Sequence, residues 1–303
     1  MIKKFILILL LISIELFAKD MTNDKDFEFL TLETQNIHDV QAKKGMQDWI
    51  NTGFGLRPYK TNYLLPFGYR DGTYKSYIQS DTYKNIEAEL QVSLKLYLGH
   101  GLFGLNELYY VSYTHQAFWQ IYTDSSPFRE TTYNPEAFVI FPILDDDSFL
   151  QMRSLKFAVA HRSNGQGNNE NAVYVSPEDN LGNRSRSINY FYTTLTLQHD
   201  SLITDLNVWL PFPVATNLDD NPDLMDYIGY SSVKFSYFLD KHMFTLMGRA
   251  NLVTGNGAVE ATYSHPLTDG VFLYGKIFSG YAESLIDYNN YITKFSIGFS
   301  FSR

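Results

Sequence analysis

Ile86-Glu-Ala-Glu-Leu-Gln-Val-Ser-Leu-Lys-Leu-Tyr-Leu98 alternates without a break. Ile86, Ala88, Leu90, Val92, Leu94, Leu96 and Leu98 take one side, and Glu87, Glu89, Gln91, Ser93, Lys95 and Tyr97 take the other. Seven apolar residues in step with a period of two describe a β-strand and leave little room for a helix, whose period is about 3.6. The strand divides two environments. In water these would be a core and the solvent; in a bilayer they would be lipid outside and a wet lumen within.

Outward from this stretch the pattern recurs. Strand-like segments occupy 61–69, 85–98, 103–118, 133–142, 149–162, 187–198, 201–213, 227–239, 242–253, 257–265, 270–280 and 289–302, which makes twelve. Leu202, Leu206, Val208 and Leu210 oppose Asp205 and Asn207, and Phe244, Leu246 and Ala250 oppose Thr245, Arg249 and Asn251. In the last segment Tyr291, Phe295, Ile297, Phe299 and Phe301 oppose Lys294, Ser296, Ser300 and Ser302. Connections after even-numbered segments are short (His100-Gly101, Leu144 to Ser148, His199-Asp200, Asp240-Lys241, Pro266 to Asp269). Those after odd-numbered segments are long (70–84, 119–132, 163–186, 214–226, 281–288), with the ninth-to-tenth as the exception. A sandwich gives no reason for that asymmetry, whereas a bacterial outer-membrane barrel has short periplasmic turns and long outer loops. The expected fold is all-β: a twelve-stranded antiparallel transmembrane β-barrel.

Composition agrees. Aromatic residues make up 16% of the chain, with 23 Tyr and 23 Phe. Cysteine is absent, so no disulfide framework is available. A net charge of −9 argues against nucleic acid as a partner. Lys3 and Lys4, the apolar run Phe5 to Ile14 and Leu16-Phe17-Ala18 read as a signal peptide over 1–18, cleaved after about Ala18. Residues 19–58 are polar and aperiodic, a candidate N-terminal periplasmic segment, and 59–303 form the barrel. The expected location is the bacterial outer membrane.

One strand end carries chemistry. In Leu155-Lys-Phe-Ala-Val-Ala-His-Arg-Ser163, the face of Leu155, Phe157 and Val159 continues into His161 and Ser163. Two residues apart on a strand places their Cα atoms about 7 Å apart on one side. The next strand returns with Asn189 on the face of Phe191, Leu195 and Leu197. Polar groups facing lipid are costly and point to function. Ser163 is the expected nucleophile, His161 its general base, and Asn189 the acceptor that fixes the imidazole tautomer. An amide orients the ring without placing an ion at the membrane edge. A nucleophile facing lipid should attack an acyl ester of lipid. The plainer reading is two polar residues at a strand end, on a passive pore or structural barrel; a lipid A deacylase is a third.

The motifs that surround these residues resemble the outer-membrane phospholipase A family. They are His161-x-Ser163-Asn164-Gly165, Ser185-Arg186-Ser187-x-Asn189, Ser125-Ser126-Pro127-Phe128-Arg129-Glu130, Asp219-Asp220-Asn221-Pro222-Asp223, Tyr227-x-Gly229-Tyr230 and the run Ser279 to Tyr288, in order from about 56 to the end. The resemblance implies a calcium-dependent phospholipase with A1, A2 and lysophospholipase activity, active as a homodimer on membrane phospholipid. It also implies that Gly165 supplies an oxyanion-hole N–H. Ca2+ would be held by the Gln166 carbonyl, Asn168, Ser185 and Ser125 of the other subunit, with Asp220 at a second position. Asn168 departs from the family, which has a carboxylate there, and Glu170, Glu178 or Asp179 are candidates to supply the charge that calcium prefers. His115, on the lipid face of the third strand, falls near the implied dimer contact.

Overall fold

The computed structural model describes residues 37–50, 56–75, 83–143, 148–168, 182–212 and 220–303; the expected signal peptide and the candidates Glu170, Glu178 and Asp179 lie outside them. The sheet contains β1 (Leu56–Pro58), β2 (Tyr63–Arg70), β3 (Ile86–His100), β4 (Leu108–Trp119), β5 (Phe128–Pro142), β6 (Met152–Ser163) and β7 (Ser187–His199). It continues with β8 (Leu202–Pro211), β9 (Ser231–Leu239), β10 (His242–Ala250), β11 (Gly257–Thr268), β12 (Val271–Gly280) and β13 (Ile292–Ser300). Each strand from β2 onward pairs antiparallel with the next, and β13 pairs with β2, so the sheet closes without a free edge.

Thirteen segments make twelve staves because β1 and β2 are one strand in two pieces. Both lie on β3, Leu56 opposite Leu96 and Tyr63 opposite Gln91. The gap is bridged largely by side chains. Lys60 N donates to Ser93 Oγ at 3.1 Å, Ser93 N to Asn62 Oδ1 at 2.5 Å, and Asn62 N to Ser302 Oγ at 2.8 Å.

The alternation sorts the two faces. Phe157, Val159, Phe191, Leu210, Ile277 and Phe295 stand out from the wall, forming the apolar band that lipid covers. Inside, Glu87 and Glu89 are fully enclosed and Lys294 is 1% exposed. Arg129 Nε donates to Glu87 at 2.9 Å and its Nη1 to Asp287 at 2.6 Å. Lys276 meets Glu89 at 2.6 Å, and Lys294 meets Glu87 at 3.0 Å and Glu283 at 3.2 Å. Asp287 and Glu283 belong to the β12–β13 connection, which folds into the mouth and ties the outer rim to the wall.

A helix, α1 (Val40–Ile50), closes the other end. Asp39 caps it, its Oδ1 accepting from Gln41 N at 2.9 Å and Ala42 N at 3.0 Å. Its Oδ2 accepts from Asp240 N at 2.8 Å, in the β9–β10 turn. Ile37, Ala42 and Met46 pack with Ile203, Phe238 and Met243 from the inner face of β8, β9 and β10.

Some boundaries differ from the sequence expectation. The eighth stave begins at Ser231 rather than 227, because Leu224–Ile228 forms a short helix, α2, that ends at Gly229. Gly229 has φ +68°, and a Cβ there would lie 2.2 Å from Ala250 O, so only glycine makes this turn. The third stave begins at Leu108, not 103. Glu107 accepts from Phe103 N at 2.6 Å and Leu105 N at 3.0 Å, holding 101–107 as a turn.

Candidate active site on the outer wall

β6 and β7 are paired so that His161 faces Asn189 directly. His161 Nδ1 and Asn189 Oδ1 are 2.8 Å apart. The amide oxygen can only accept, so Nδ1 carries the proton and Nε2 is left as the basic nitrogen. Ser163 lies two residues beyond His161 on the same side, opposite Tyr133 on β5 and Ser187 on β7. Among the described residues no hydrogen bond joins the Ser163 hydroxyl to the ring; such contacts tighten in the substrate complex. The outward neighbours Val159 and Phe191 are 40% and 55% exposed, which fixes the face as the one lipid covers. Asn189 Nδ2 is buried without a partner. An orphaned amide on an apolar wall is a cost that packing does not explain.

The supports come from the lumen side and from the loop. Asn134 Nδ2 donates through the wall to His161 O at 2.9 Å, pinning the strand at the imidazole. Asn164 ties both ends of the β6–β7 loop: its Nδ2 donates to Arg184 O at 2.7 Å, and its Oδ1 accepts from Arg186 N at 3.1 Å. Gly165 follows with φ +63°, and a Cβ there would be 2.8 Å from the Tyr133 ring, so the chain turns over that ring only as glycine. Asn164 stands in the quoted motif, but its role as a staple is visible only once the loop ends meet. Tyr133 carried no signal beyond its apolar parity.

The expected calcium residues divide into two groups. Asn168, Ser185 and Asp220 come together: Ser185 Oγ donates to Asp220 Oδ2 at 2.6 Å, and Asn168 Nδ2 to Asp220 Oδ1 at 3.4 Å. Asn168 Oδ1 accepts from both Arg184 N and Ser185 N at 2.9 Å, so its oxygen is engaged in holding the loop. Asn221 Oδ1 accepts from Ser187 N at 2.8 Å, which seats the Asp220 segment beside β7. Gln166 sits on the same loop, its N–H donating to Asn164 Oδ1 at 3.3 Å. A hydroxyl, a carboxylate and a loop carbonyl are hard oxygen donors of the kind calcium takes, and the Asn168 oxygen joins them by giving up one of its two N–H partners. The donor set therefore fits, with Asp220 as its charge. Ser125 does not join it within this chain. It is exposed on the β4–β5 loop at φ +60°. His115 lies on the outer wall, its ring 5.3 Å from that of Tyr133 in an edge-on contact.

A closed twelve-stave barrel with an apolar band around its outside defines the class: a transmembrane β-barrel of the bacterial outer membrane. The chain belongs to the phospholipase A1 family, whose model matches residues 41–301. It is 33% identical over 275 residues to phospholipase A1 of Escherichia coli K12, covering 87% of this chain and 89% of that protein. The Proteus vulgaris phospholipase A1 is 32% identical over 274 residues, covering 86% and 88%. The structure matches outer membrane phospholipase A from E. coli with a TM-score of 0.70 at 33% identity, over 83% of this chain and 93% of that one. A Salmonella typhi outer membrane phospholipase, solved as a dimer with bound calcium, matches with a TM-score of 0.71 at 32% identity, over 85% and 96%.

Proposed function

We propose that this protein hydrolyses acyl ester bonds of membrane glycerophospholipids, with A1, A2 and lysophospholipase activity, through Ser163, His161 and Asn189. The observation that carries the reading is the 2.8 Å contact between His161 Nδ1 and Asn189 Oδ1 on a wall that otherwise meets lipid. Ser163 Oγ attacks the ester carbonyl while His161 Nε2 takes its proton. The imidazolium then returns the proton to the leaving alkoxide, which departs as lysolipid. Water, deprotonated by the same Nε2, releases the fatty acid from Ser163. Asn189 holds the ring throughout in the one tautomer that leaves Nε2 basic, the part played by a buried aspartate in the Ser-His-Asp arrangement.

Gly165 N–H is the backbone donor for the oxyanion. The Gln166 carbonyl, Ser185, Asp220 and Asn168 are the residues that would hold calcium. When bound, it supplies positive charge beside the developing oxyanion, the large contribution in acyl transfer. Ser125 serves the partner copy's site, consistent with its exposed position on the outer rim, so activity follows calcium-dependent dimerisation. The test is hydrolysis of mixed phospholipid in liposomes with and without calcium. Wild-type protein should release fatty acid, and Ser163→Ala should not. Undiminished hydrolysis by Ser163→Ala removes this serine as nucleophile; ion conductance without hydrolysis favours a pore.

A further inference from the structure

Four luminal cations are matched by carboxylates: Arg129, Lys276, Lys294 and Lys60. Arg162 and Arg249 are not, among the described residues. Arg162 precedes Ser163 but points the opposite way, into the barrel, where its Nη2 reaches Gln116 Oε1 at 3.5 Å. Arg249 Nη2 donates to Tyr281 O at 2.6 Å and Ala282 O at 3.1 Å, and its Nη1 is buried with no partner. Glu130 and Glu260 act on these cations only at longer range. The two guanidinium groups line a cavity of about 200 Å³ near the outer mouth, and both also border the larger luminal cavity of about 360 Å³ that holds Glu260 and Glu283. The rest of the smaller cavity's wall is mostly apolar, with Ile188, Trp209, Leu224 and Leu285.

We propose that this smaller cavity binds a small amphiphilic anion, a carboxylate carrying a short apolar chain. Two like charges lining one cavity repel, and an anion between them relieves the repulsion while accepting charge-assisted hydrogen bonds from both. The apolar wall then selects a ligand with a chain over a bare inorganic ion. At about 30 Å³ per water the space equals roughly seven waters, enough for a short acyl chain and too little for a full membrane lipid. The wall of β6 separates this cavity from Ser163, so occupancy does not depend on the hydrolytic reading.

Trp209 is the built-in reporter, because bromine quenches indole fluorescence on contact. The experiment uses the full chain in nanodiscs, with Trp49 and Trp119 replaced by Phe, titrated with 8-bromooctanoate. Quenching should saturate, be reversed by octanoate, and weaken at least about tenfold in Arg162→Gln. 8-Bromooctanol should quench without saturating. Arg162→Lys, which keeps the charge, should fall between wild type and Arg162→Gln, and heat-modifiable migration confirms that each variant is folded. Quenching that never saturates, or that is the same for the alcohol and for Arg162→Gln, is partition into lipid and overturns the proposal. Reversal by inorganic phosphate as strong as by octanoate overturns the amphiphile and leaves a plain anion site.

Discussion

The lumen and the outer wall both carry buried or half-buried polar groups, and they handle them in opposite ways. Inside, full charges are used and one network answers its own: Arg129 between Glu87 and Asp287, Lys294 among Glu87, Glu89 and Glu283. Outside, Ser163, His161 and Asn189 have no carboxylate or fixed cation among them and are incompletely satisfied, with the Asn189 amide nitrogen orphaned. A protein can surround a charge with partners in its interior, but it cannot do so on a face given to lipid. The difference teaches how the two faces divide their work. The lumen holds the wall still; the wall's outer surface retains unused hydrogen-bonding capacity, which the proposed reaction would use.

That contrast can be broken by experiment. Ser163→Ala should reduce phospholipid hydrolysis about 10^4-fold or more while leaving heat-modifiable migration unchanged; a stability loss of comparable size would mean that the outer trio is structural after all. Arg129→Met should do the reverse. It leaves Asp287 without its cation and Glu87 with Lys294 alone, and urea unfolding in lipid should register a loss of about 3–5 kcal/mol. Asn189→Ala should slow hydrolysis by about 10–100-fold, less than His161→Ala, because it removes orientation and not the base; equal and total loss in both would contradict the ranking. Chelation should lower rate and dimer content together, and Asp220→Asn should raise the calcium concentration needed for dimerisation by about tenfold, more than Asn168→Ala does. Dimer content measured by cross-linking reads this independently of turnover.

The smallest effect concerns neither face. Backbone N–H groups of Ala42 and Asp240 hold the Asp39 carboxylate below its ordinary value near 3.8. A carboxylate whose folded pKa is lowered stabilises the fold above that ordinary value and loses the contribution as pH falls through the folded one. Protection of α1 from hydrogen exchange should thus be constant from neutral pH to about 4 and decline below it, and Asp39→Asn should flatten the decline.

The wall was legible from sequence because lipid and lumen impose opposite demands at every second residue. In β13, Phe295, Ile297 and Phe299 stand out while Lys294, Ser296 and Ser300 are enclosed, as their types dictate. The common face of His161, Ser163 and Asn189 followed from the same parity. The breaks in pattern were not legible. At Tyr59–Asn62 side chains replace ladder bonds, and nothing in residue type marks that exchange. Helix α1 is held by Ile203, Phe238 and Met243, residues far away in the chain, so the seat that Ala42 and Met46 find is not marked in the helix's own sequence. Asp220 meets Ser185 across two loops, a proximity that spacing along the chain does not encode.

The seating of α1 sets an order of events during biogenesis. The segment is synthesised first, yet its docking site is built from β8, β9 and β10, which are made much later. Ile37, Ala42 and Met46 therefore have no seat until β8, β9 and β10 have come together. The helix then locks as a latch on finished work, and its protection from protease reports completed assembly.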